Sequence, residues 1–353
     1  AGRGPATATS PMVSVPARHM YLGGSLTADL LLPKAWVQQF KRGSVLYNKG
    51  NSNGTDFVGR AKWKSKPDLE VAFAVWRTSD HATWRHVRMS KLLGTSRFVP
   101  ALWELRKMPM WTFLLSSSPG SRPLAALIAE REEKGAPGKE PLVPLKTALP
   151  LMVDMLRGVL EIENAGLVHL GISEDTVYIG DDRAIFSDLR GVSLAGSPAD
   201  ADTSQQLCAE FRGPPEMAEG EPTEISNSVW QLGLVFARMI FGGELPTKAE
   251  ANNWELTVNC TTAEGRRAFR TFLRDHFVLR ANPAFDRLGP EYTDVRQMLF
   301  GMLMTGSAVR WSVRDALAQA VDAATARGIT VNPPPPLPES PPGLITGNDG
   351  VSQ

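Results

Sequence analysis

The chain has 353 residues, of which 42% are hydrophobic and 21% charged, so it holds enough apolar material for one large core or two packed domains. Its 38 basic and 37 acidic side chains nearly cancel, which argues against a dedicated nucleic-acid binder. No run approaches about 18 uninterrupted apolar residues, so the sequence predicts no transmembrane segment. The two cysteines exclude a disulfide-dense small scaffold and a cysteine-rich zinc module.

Both ends of the chain differ in composition from its middle. Residues 1–35 begin with small, polar and proline-bearing sequence, and we expect them to form a partly disordered N-terminal extension. Residues 331–353 form a proline-rich tail, in which consecutive prolines favour polyproline II. Pro334 to Pro338 would suit the groove of an SH3 or WW domain, but a solvated tail is the simpler interpretation.

Residues 36–118 are predicted to be rich in strands. The runs at 71–76 and 111–115 are short, apolar and bulky, as strands require. A helix from His81 to Leu93, stopped by Gly94, interrupts them. Six of the nine tryptophans lie here, and packing in the core or sheet is the simpler interpretation for them; a partner surface or a filled cleft is the alternative. These six are Trp36, Trp63, Trp76, Trp84, Trp103 and Trp111.

Residues 119–330 are predicted to be mainly helical. Helical periodicity starts at Leu151, Val229 and Val313, and the helix from Val229 is apolar nearly all round, which is typical of a buried central helix. Between the first two helices, residues 176–186 carry a hairpin pattern with Gly-Asp-Asp at its turn. The sequence therefore predicts an α+β fold, with a small strand-rich half containing one helix and a larger helical half.

Five segments follow one another in the order of protein-kinase motifs. They read VHLGISEDTVYI at 168–179, FSDLRG at 186–191, RGPPE at 212–216, NSVWQLG at 227–233 and AVRWSVRDAL at 308–317. They resemble the kinase catalytic loop, the D-F-G motif, the A-P-E motif, the start of the central helix and the segment before the last helix. The chain resembles the rhoptry-type kinases that apicomplexan parasites secrete, and within them the with-no-Gly-loop group, over about residues 36–328.

The resemblance implies a bilobal protein kinase-like fold, with a small β-rich N-lobe at 36–118 and a helical C-lobe at 119–330. It also implies lost chemistry, because the positions that grip and activate a triphosphate are substituted. No G-x-G-x-x-G precedes the strand at 71–76, and the helix from His81 holds no acidic residue. Ala74 stands at the strand lysine, Gly171 at the catalytic base, Ser173 at the loop lysine and Thr176 at the magnesium-binding asparagine.

Asp188 matches the metal-binding aspartate of the D-F-G motif, but we expect it to be vestigial, with no metal and no cofactor bound. Arg190, by adjacency alone, could place its guanidinium against Asp188. Relocated acids are conceivable, yet solvated loop carboxylates are the simpler interpretation of the four candidates, and the loop histidine His169 is expected to be a packed residue. The four carboxylates are Glu174, Asp175, Asp181 and Asp182.

The resemblance also carries structural expectations. Glu216 and Arg310 match a pair that forms a buried salt bridge in kinases, and Trp230 of the central helix is expected to be a structural residue. Ser228 replaces the helix aspartate that holds the catalytic loop, which suggests relaxed demands there. Because the family is secreted, Cys208 and Cys260 could form a disulfide, although two free buried thiols are the alternative.

These features predict a catalytically inactive pseudokinase that acts as a scaffold or allosteric partner and does not bind ATP. The expected partners are proteins, including another secreted kinase or pseudokinase, and not nucleic acid. By resemblance, the expected location is secreted, at a parasitophorous vacuole or cyst wall. Two alternatives stay open: an atypical phosphotransferase with a relocated acid such as Asp175, and a receptor for a non-nucleotide ligand.

Overall fold

Ten strands and six α-helices are found in the described part of the chain. The structure is a computed structural model, and it describes residues 36, 38–41, 46–49, 57–77, 81–107, 111–120, 122–135, 140–189, 191–198, 213–216, 222–242, 262, 264–265, 267–268, 271, 288–339 and 342. The protein has a mixed α and β structure. It divides into two units, one made of residues 1–78, 105–115 and 341–353 and the other of residues 79–104 and 116–340.

The first unit contains β1, β2, β3 and parts of β4 and β5, which belong to a five-stranded sheet of order β1-β2-β3-β5-β4 with antiparallel pairing of β1 with β2 and of β2 with β3. Its strands are β1 (Leu46–Lys49), β2 (Phe57–Trp63), β3 (Lys66–Arg77), β4 (Leu102–Lys107) and β5 (Trp111–Ser117). The strands predicted at 71–76 and 111–115 are thus present, and the first is longer than predicted. On β3, Val71, Phe73 and Val75 are buried at alternate positions, as one face of a strand requires.

Aromatic rings form the core of the first unit. Trp36 meets Phe113 edge-on at 6.4 Å between ring centroids, and Phe40 stacks on Phe73 at 5.8 Å. Phe40 also meets Trp63 edge-on at 6.1 Å. Such pairs add to the free energy gained from burial alone. Trp36 and Trp63 are therefore core residues, as the simpler interpretation of the tryptophans predicted.

Helix α1 (His81–Leu93) has the predicted bounds, and it ends at Gly94, whose φ of +69° suits glycine. It belongs to the second unit. The reason is that α1 packs against β10 (Val192–Leu194), while the Nδ1 of His86 accepts a hydrogen bond from the backbone N–H of Leu189 at 3.1 Å. The division by contacts thus differs from the predicted boundary at residue 118.

The remaining helices belong to the second unit. They are α2 (Leu124–Glu133), α3 (Leu145–Asn164), α4 (Ile225–Phe241), α5 (Thr293–Met302) and α6 (Val313–Ala326), with 3-10 turns at Pro290–Tyr292 and Ser307–Val309. Helix α4 is buried on nearly all sides, as predicted. Helix α6 starts at the capping box of Ser312 and Asp315, and Gly328 follows it with a φ of +63°. No described helix is long and apolar enough to cross a bilayer.

Helix α3 lies at the centre of the second unit and begins six residues before the predicted start at Leu151. Pro144 precedes its first turn, and Pro150 lies inside it. Three of the six added residues are buried, namely Leu145, Ala148 and Leu149, the last two at 0% exposure. Helices α4 and α6 and strands β7 (Leu167–His169) and β9 (Arg183–Phe186) pack against it. Burial of these residues outweighs the hydrogen bond that a proline cannot donate.

Two small sheets complete the second unit. One pairs β7 with β10, and the other has the order β6-β8-β9, with β6 at Arg122–Pro123 and β8 at Val177–Gly180. The predicted hairpin is β8 and β9. Its two loop residues are Asp181 and Asp182, with φ of 50° and 58°, so Gly180 closes the strand and pairs with Arg183. Positive φ at both loop positions is the requirement of a type I′ turn.

The start of the proline-rich tail is held on the second unit, while Pro334, Pro336 and Leu337 are exposed, so the interpretation of a solvated tail holds for part of the run. Arg157 donates a hydrogen bond to the carbonyl of Asn332 at 2.6 Å, and Arg183 donates one to that of Pro333 at 2.5 Å. The buried Asp154 orients both arginines, at 2.7 Å from the Nε of Arg183 and 3.8 Å from Arg157. Burial raises the pKa of the Asp154 carboxyl, and the Arg183 guanidinium offsets part of that rise.

Candidate functional site

The candidate site is the loop that joins β7 to β8, residues 169–176, because it corresponds to the kinase catalytic loop in the resemblance. Sheet pairing sets both of its ends, since His169 pairs with Val192 and Val177 pairs with Phe186. The loop is largely buried: Ser173 is 8% exposed and Thr176 is 7% exposed. All of these residues lie in the second unit, so their geometry can be read within one compact body.

Helix α4 holds the backbone of this loop through two neutral side chains. The Ser228 hydroxyl accepts from the N–H of His169 and donates to its carbonyl, both at 3.1 Å. The Gln231 amide accepts from the N–H of Ile172 at 3.0 Å and donates to the carbonyl of Leu170 at 2.9 Å. The expectation of relaxed demands at Ser228 is therefore wrong. A serine and a glutamine supply four hydrogen bonds to the loop.

Sequence reasoning did not single out Gln231, although a signal was present. Gln231 is completely buried, and its neighbours from Val229 to Ala237 in the helix are apolar. A buried amide must have hydrogen-bond partners, because leaving its groups unpaired costs about 1–3 kcal/mol. The buried glutamine in V-W-Q-L-G thus indicates a hydrogen-bonded contact with the backbone. The sequence does not show which segment provides it.

The two polar positions of the loop bond to the loop itself. The Thr176 hydroxyl accepts from the N–H of Ser173 at 2.9 Å and donates to the carbonyl of Gly171 at 2.9 Å. The Ser173 hydroxyl accepts from the N–H of Thr176 at 3.3 Å. This reciprocal pair satisfies the loop backbone, so the hydroxyl of Thr176 points inward at the position where kinases carry a magnesium-binding amide.

Gly171 lies against a second glycine. A Cβ added at Gly171 would come within 3.2 Å of the Cα of Gly191, and one added at Gly191 would come within 2.7 Å of the Cα of Gly171. The N–H of Leu170 donates to the carbonyl of Gly191 at 2.8 Å. Two main chains therefore pack directly on each other at the position that corresponds to the catalytic base.

His169 is a packed residue, as expected. It is completely buried, and its ring meets Phe186 edge-on at 5.3 Å. Burial lowers the pKa of His169 to about 4, although the Asp188 carboxylate favours the charged form. Its Nδ1 accepts from the N–H of Gly171 at 3.1 Å, which places the proton of the neutral ring on Nε2. The neutral imidazole thus stabilises the loop by accepting this hydrogen bond and by packing on Phe186.

Asp188 lies next to His86 of α1. Its Oδ1 is 3.6 Å from the Nδ1 of His86. The same nitrogen lies 3.1 Å from the backbone nitrogen of Leu189, so the His86 ring links α1 to the segment that carries Asp188. Arg190, which could lie against Asp188, is outside the described residues.

The carboxylates considered as relocated acids behave differently from one another. Glu174 is only 6% exposed, and the Nε of Arg238 lies 3.5 Å from its Oε1, so its interpretation as a solvated loop carboxylate is wrong. The reason is a contact with a helix far along the chain. Asp175, Asp181 and Asp182 are exposed, as that interpretation predicted.

Ala74 belongs to the first unit, where it lies on β3 opposite Val58 of β2. Its side chain is 9% exposed, and a methyl group offers neither charge nor donor. The position that corresponds to the strand lysine is thus an apolar position of the sheet.

The second unit contains the ion pair expected between Glu216 and Arg310. The two guanidinium nitrogens of Arg310 donate to the two carboxylate oxygens at 2.5 and 2.8 Å, and the Arg310 side chain is fully buried. The guanidinium also lies 5.0 Å from the ring centroid of Trp230, and Asn227 donates to the same carboxylate at 3.0 Å. We call Glu216, Arg310, Trp230 and Asn227 the brace. It ties the segment before α4 to the segment before α6.

Cys208 and Cys260 lie outside the described residues, so the structure gives no geometry for the disulfide. Within the described residues, no group of three or more His, Cys, Asp or Glu side chains is placed to hold a metal ion. Comparison of the chain with protein-family models gives no match, and comparison with curated proteins gives none. The functional argument therefore rests on the residues themselves.

Proposed function

We propose that the protein is a catalytically inactive pseudokinase with a bilobal kinase-like fold, which acts on other proteins as a scaffold or allosteric partner. The order of elements supports this fold: the strands of a five-stranded sheet and one helix come first, and mainly helical sequence with a hairpin between two long helices follows. Two of the five motifs also support it, since the catalytic-loop segment links β7 to β8 and the N-S-V-W-Q-L-G segment lies in the first turns of α4.

One observation carries the proposal. In the loop 169–176, Gly171 packs on Gly191, and the hydroxyls of Ser173 and Thr176 bond to the loop backbone. A phosphotransferase needs a carboxylate that reaches the acceptor hydroxyl and a side chain that reaches the second metal ion. Here the first position has no side chain and the second is turned inward.

The missing charges support the same conclusion. Losing a general base costs about 10²–10⁴ in rate. Losing the lysine and the metal ligands removes preorganised electrostatic stabilisation, which is usually the largest contribution to catalysis. Ala74 and the helix α1, whose sequence holds no acidic residue, supply neither member of the lysine–glutamate pair.

The partner and the location follow from the resemblance. A secreted kinase-like protein without catalysis acts through contacts, so we propose protein partners, with another secreted kinase or pseudokinase first among them, at a parasitophorous vacuole or cyst wall. We propose no cofactor and no nucleic acid.

Nucleotide titration tests the proposal. The full chain is titrated with Mg-ATP by calorimetry, and its melting temperature is measured at about 1 mM nucleotide. A dissociation constant of about 10 μM would stabilise the protein by about 2.7 kcal/mol at that concentration and raise the melting temperature by on the order of 5 °C. We expect no binding heat and no shift above about 1 °C.

The alternative phosphotransferase would give the opposite result. A thermal shift that disappears in Asp188→Ala, together with transfer of radiolabelled phosphate that disappears in Asp175→Asn, would overturn the proposal. Gly171→Asp is the matched test of the loop. We expect it to confer no phosphate transfer, because the added carboxylate would still lack the lysine and the second metal ligand.

A further inference from the structure

The proline-rich tail shows a regular pattern of burial. Between residues 332 and 339, every third residue is half-buried and the two between are exposed. The half-buried residues are Asn332, Pro335 and Pro338, and the exposed residues are Pro333, Pro334, Pro336, Leu337 and Glu339. A period of three is neither that of an α-helix nor that of a strand.

A polyproline II helix explains this period, because it has three residues per turn and three edges. Consecutive prolines fix φ and keep the preceding residue extended, so the sequence enforces this conformation without internal hydrogen bonds. One edge of the tail, at Asn332, Pro335 and Pro338, therefore turns toward the protein, and the other two edges face solvent.

Two arginines hold the tail at its start. Arg157 donates a hydrogen bond to the carbonyl of Asn332, and Arg183 donates one to the carbonyl of Pro333. The Asp154 carboxylate forms ion pairs with both guanidinium groups. Asp154 is 1% exposed, so this is an anchor built into the core side of α3. These bonds use main-chain oxygens, and Pro333 itself stays exposed.

The outward edges match what a polyproline groove takes. Residues Pro333 and Pro336 form one edge at a spacing of three, and Pro334 and Leu337 form the next. This is the P-x-x-P arrangement that aromatic-lined grooves bind. Leu337 is 46% exposed and is one of only four large hydrophobic side chains that are exposed among the described residues. The tail thus offers an apolar ridge to solvent.

We propose that residues 333–337 are a docking ridge for a partner domain whose binding groove is lined by aromatic side chains and reads polyproline II. The ridge lies outside the loop 169–176 and the brace, so it is a separate interaction site. Because the arginines already hold the tail extended, a partner pays less conformational entropy than it would for a free peptide.

Binding assays on the full chain test this proposal. The probes are one purified SH3 domain, one WW domain and one EVH1 domain, each titrated by calorimetry. We expect at least one domain to bind with a dissociation constant below about 1 mM. Pro336→Ala changes an outward edge, and we expect it to weaken binding about tenfold or more, with the melting temperature unchanged.

Pro338→Ala is the matched control, since it changes the inward edge. We expect it to leave the dissociation constant within about threefold of the unchanged chain. If Pro336→Ala and Pro338→Ala raise the dissociation constant equally, the partner binds a tail that is detached from the protein. This result would contradict the proposed docking ridge. Failure of all three domains to bind would overturn it as well.

Discussion

The first turns of α4 touch two regions of the second unit by different means. On one side, Trp230 and Asn227 complete the brace, in which a buried arginine meets a carboxylate through two hydrogen bonds. On the other side, Ser228 and Gln231 hold the loop 169–176 through uncharged groups. Helix α4 therefore contributes neutral side chains to both regions, and the charged pair of the brace, Glu216 and Arg310, comes from the segments outside it.

The difference teaches where a buried charge is tolerated. In the brace, each charge has a permanent partner, and the pair stays satisfied whatever binds elsewhere. In the loop, an unpaired carboxylate would need a metal ion or a substrate to balance it, so a scaffold without that chemistry is more stable with neutral groups. Serine and glutamine keep the loop in place at no cost of burying charge.

Breaking the brace gives the largest expected effect. In Arg310→Ala, Glu216 keeps its charge but loses both hydrogen bonds from the buried guanidinium. Such a change costs about 3–5 kcal/mol. Denaturation by urea, followed by far-UV circular dichroism, measures the loss.

Arg314→Ala is the control for that variant. Arg314 lies four residues further on, and its guanidinium makes an exposed contact with Asn164 at 3.3 Å. We expect a change within about 0.5 kcal/mol there. Equal losses in the free energy of unfolding for Arg310→Ala and Arg314→Ala would mean that the brace does not contribute to stability.

Removing a neutral support gives a smaller effect. In Ser228→Ala, the N–H and the carbonyl of His169 lose their partner in a buried place. We expect a loss of about 1–3 kcal/mol in the free energy of unfolding. Faster hydrogen exchange confined to residues 168–171 would locate the effect at the loop.

Ser226→Ala is its matched control, because that serine is on the exposed side of the same helix turn and bonds Glu224 at 3.1 Å. It should change stability by less than about 0.5 kcal/mol. If the amides of residues 168–171 exchange at the same rate in Ser226→Ala and Ser228→Ala, then Ser228 does not support the loop.

Acid weakens the loop through His169. Its pKa in the folded protein is about 4, below the ordinary value of 6.5, so the unfolded chain binds more protons between those values. Stability is therefore complete above about pH 6.5 and falls as the pH falls toward 4. Between pH 7 and pH 5 this amounts to about 2 kcal/mol.

His169→Asn tests this dependence, since asparagine does not titrate and its carbonyl can accept the N–H of Gly171. Unfolding free energies of both proteins are compared at pH 5 and at pH 7. We expect the difference between the two pH values to be smaller in the variant by about 2 kcal/mol. Identical differences would show that His169 is not the group that responds.

Local signals predicted the elements they control. Gly94 ends α1 where predicted, and the Gly-Asp-Asp pattern gives the hairpin of β8 and β9. The ion pair of Glu216 and Arg310 was expected from the motifs and is present. A cap and a turn fix the first two within their own segments, whereas the ion pair joins residues 94 apart and was expected from the family resemblance.

The errors arise where distant contacts decide. The periodicity predicted a helix from Leu151, yet helix α3 begins at Leu145 and runs through Pro150, where buried residues of the added turns hold it. Glu174 reads as a loop carboxylate, yet Arg238 covers it from 64 residues away. The support from Ser228 and Gln231 bridges about 60 residues of sequence. Periodicity and motif spacing do not report such contacts, because they describe only a residue's own segment.

The three-residue period of the tail gives it a phase. Deleting or inserting one residue after the anchor at Asn332 and Pro333 would rotate everything downstream by a third of a turn, about 120°. Leu337 would then leave its present solvent-facing edge for another of the three edges. The composition and length of the tail would hardly change. The number of prolines that follow Asn332 therefore determines which residues face solvent, as register determines which residues of a strand share a face.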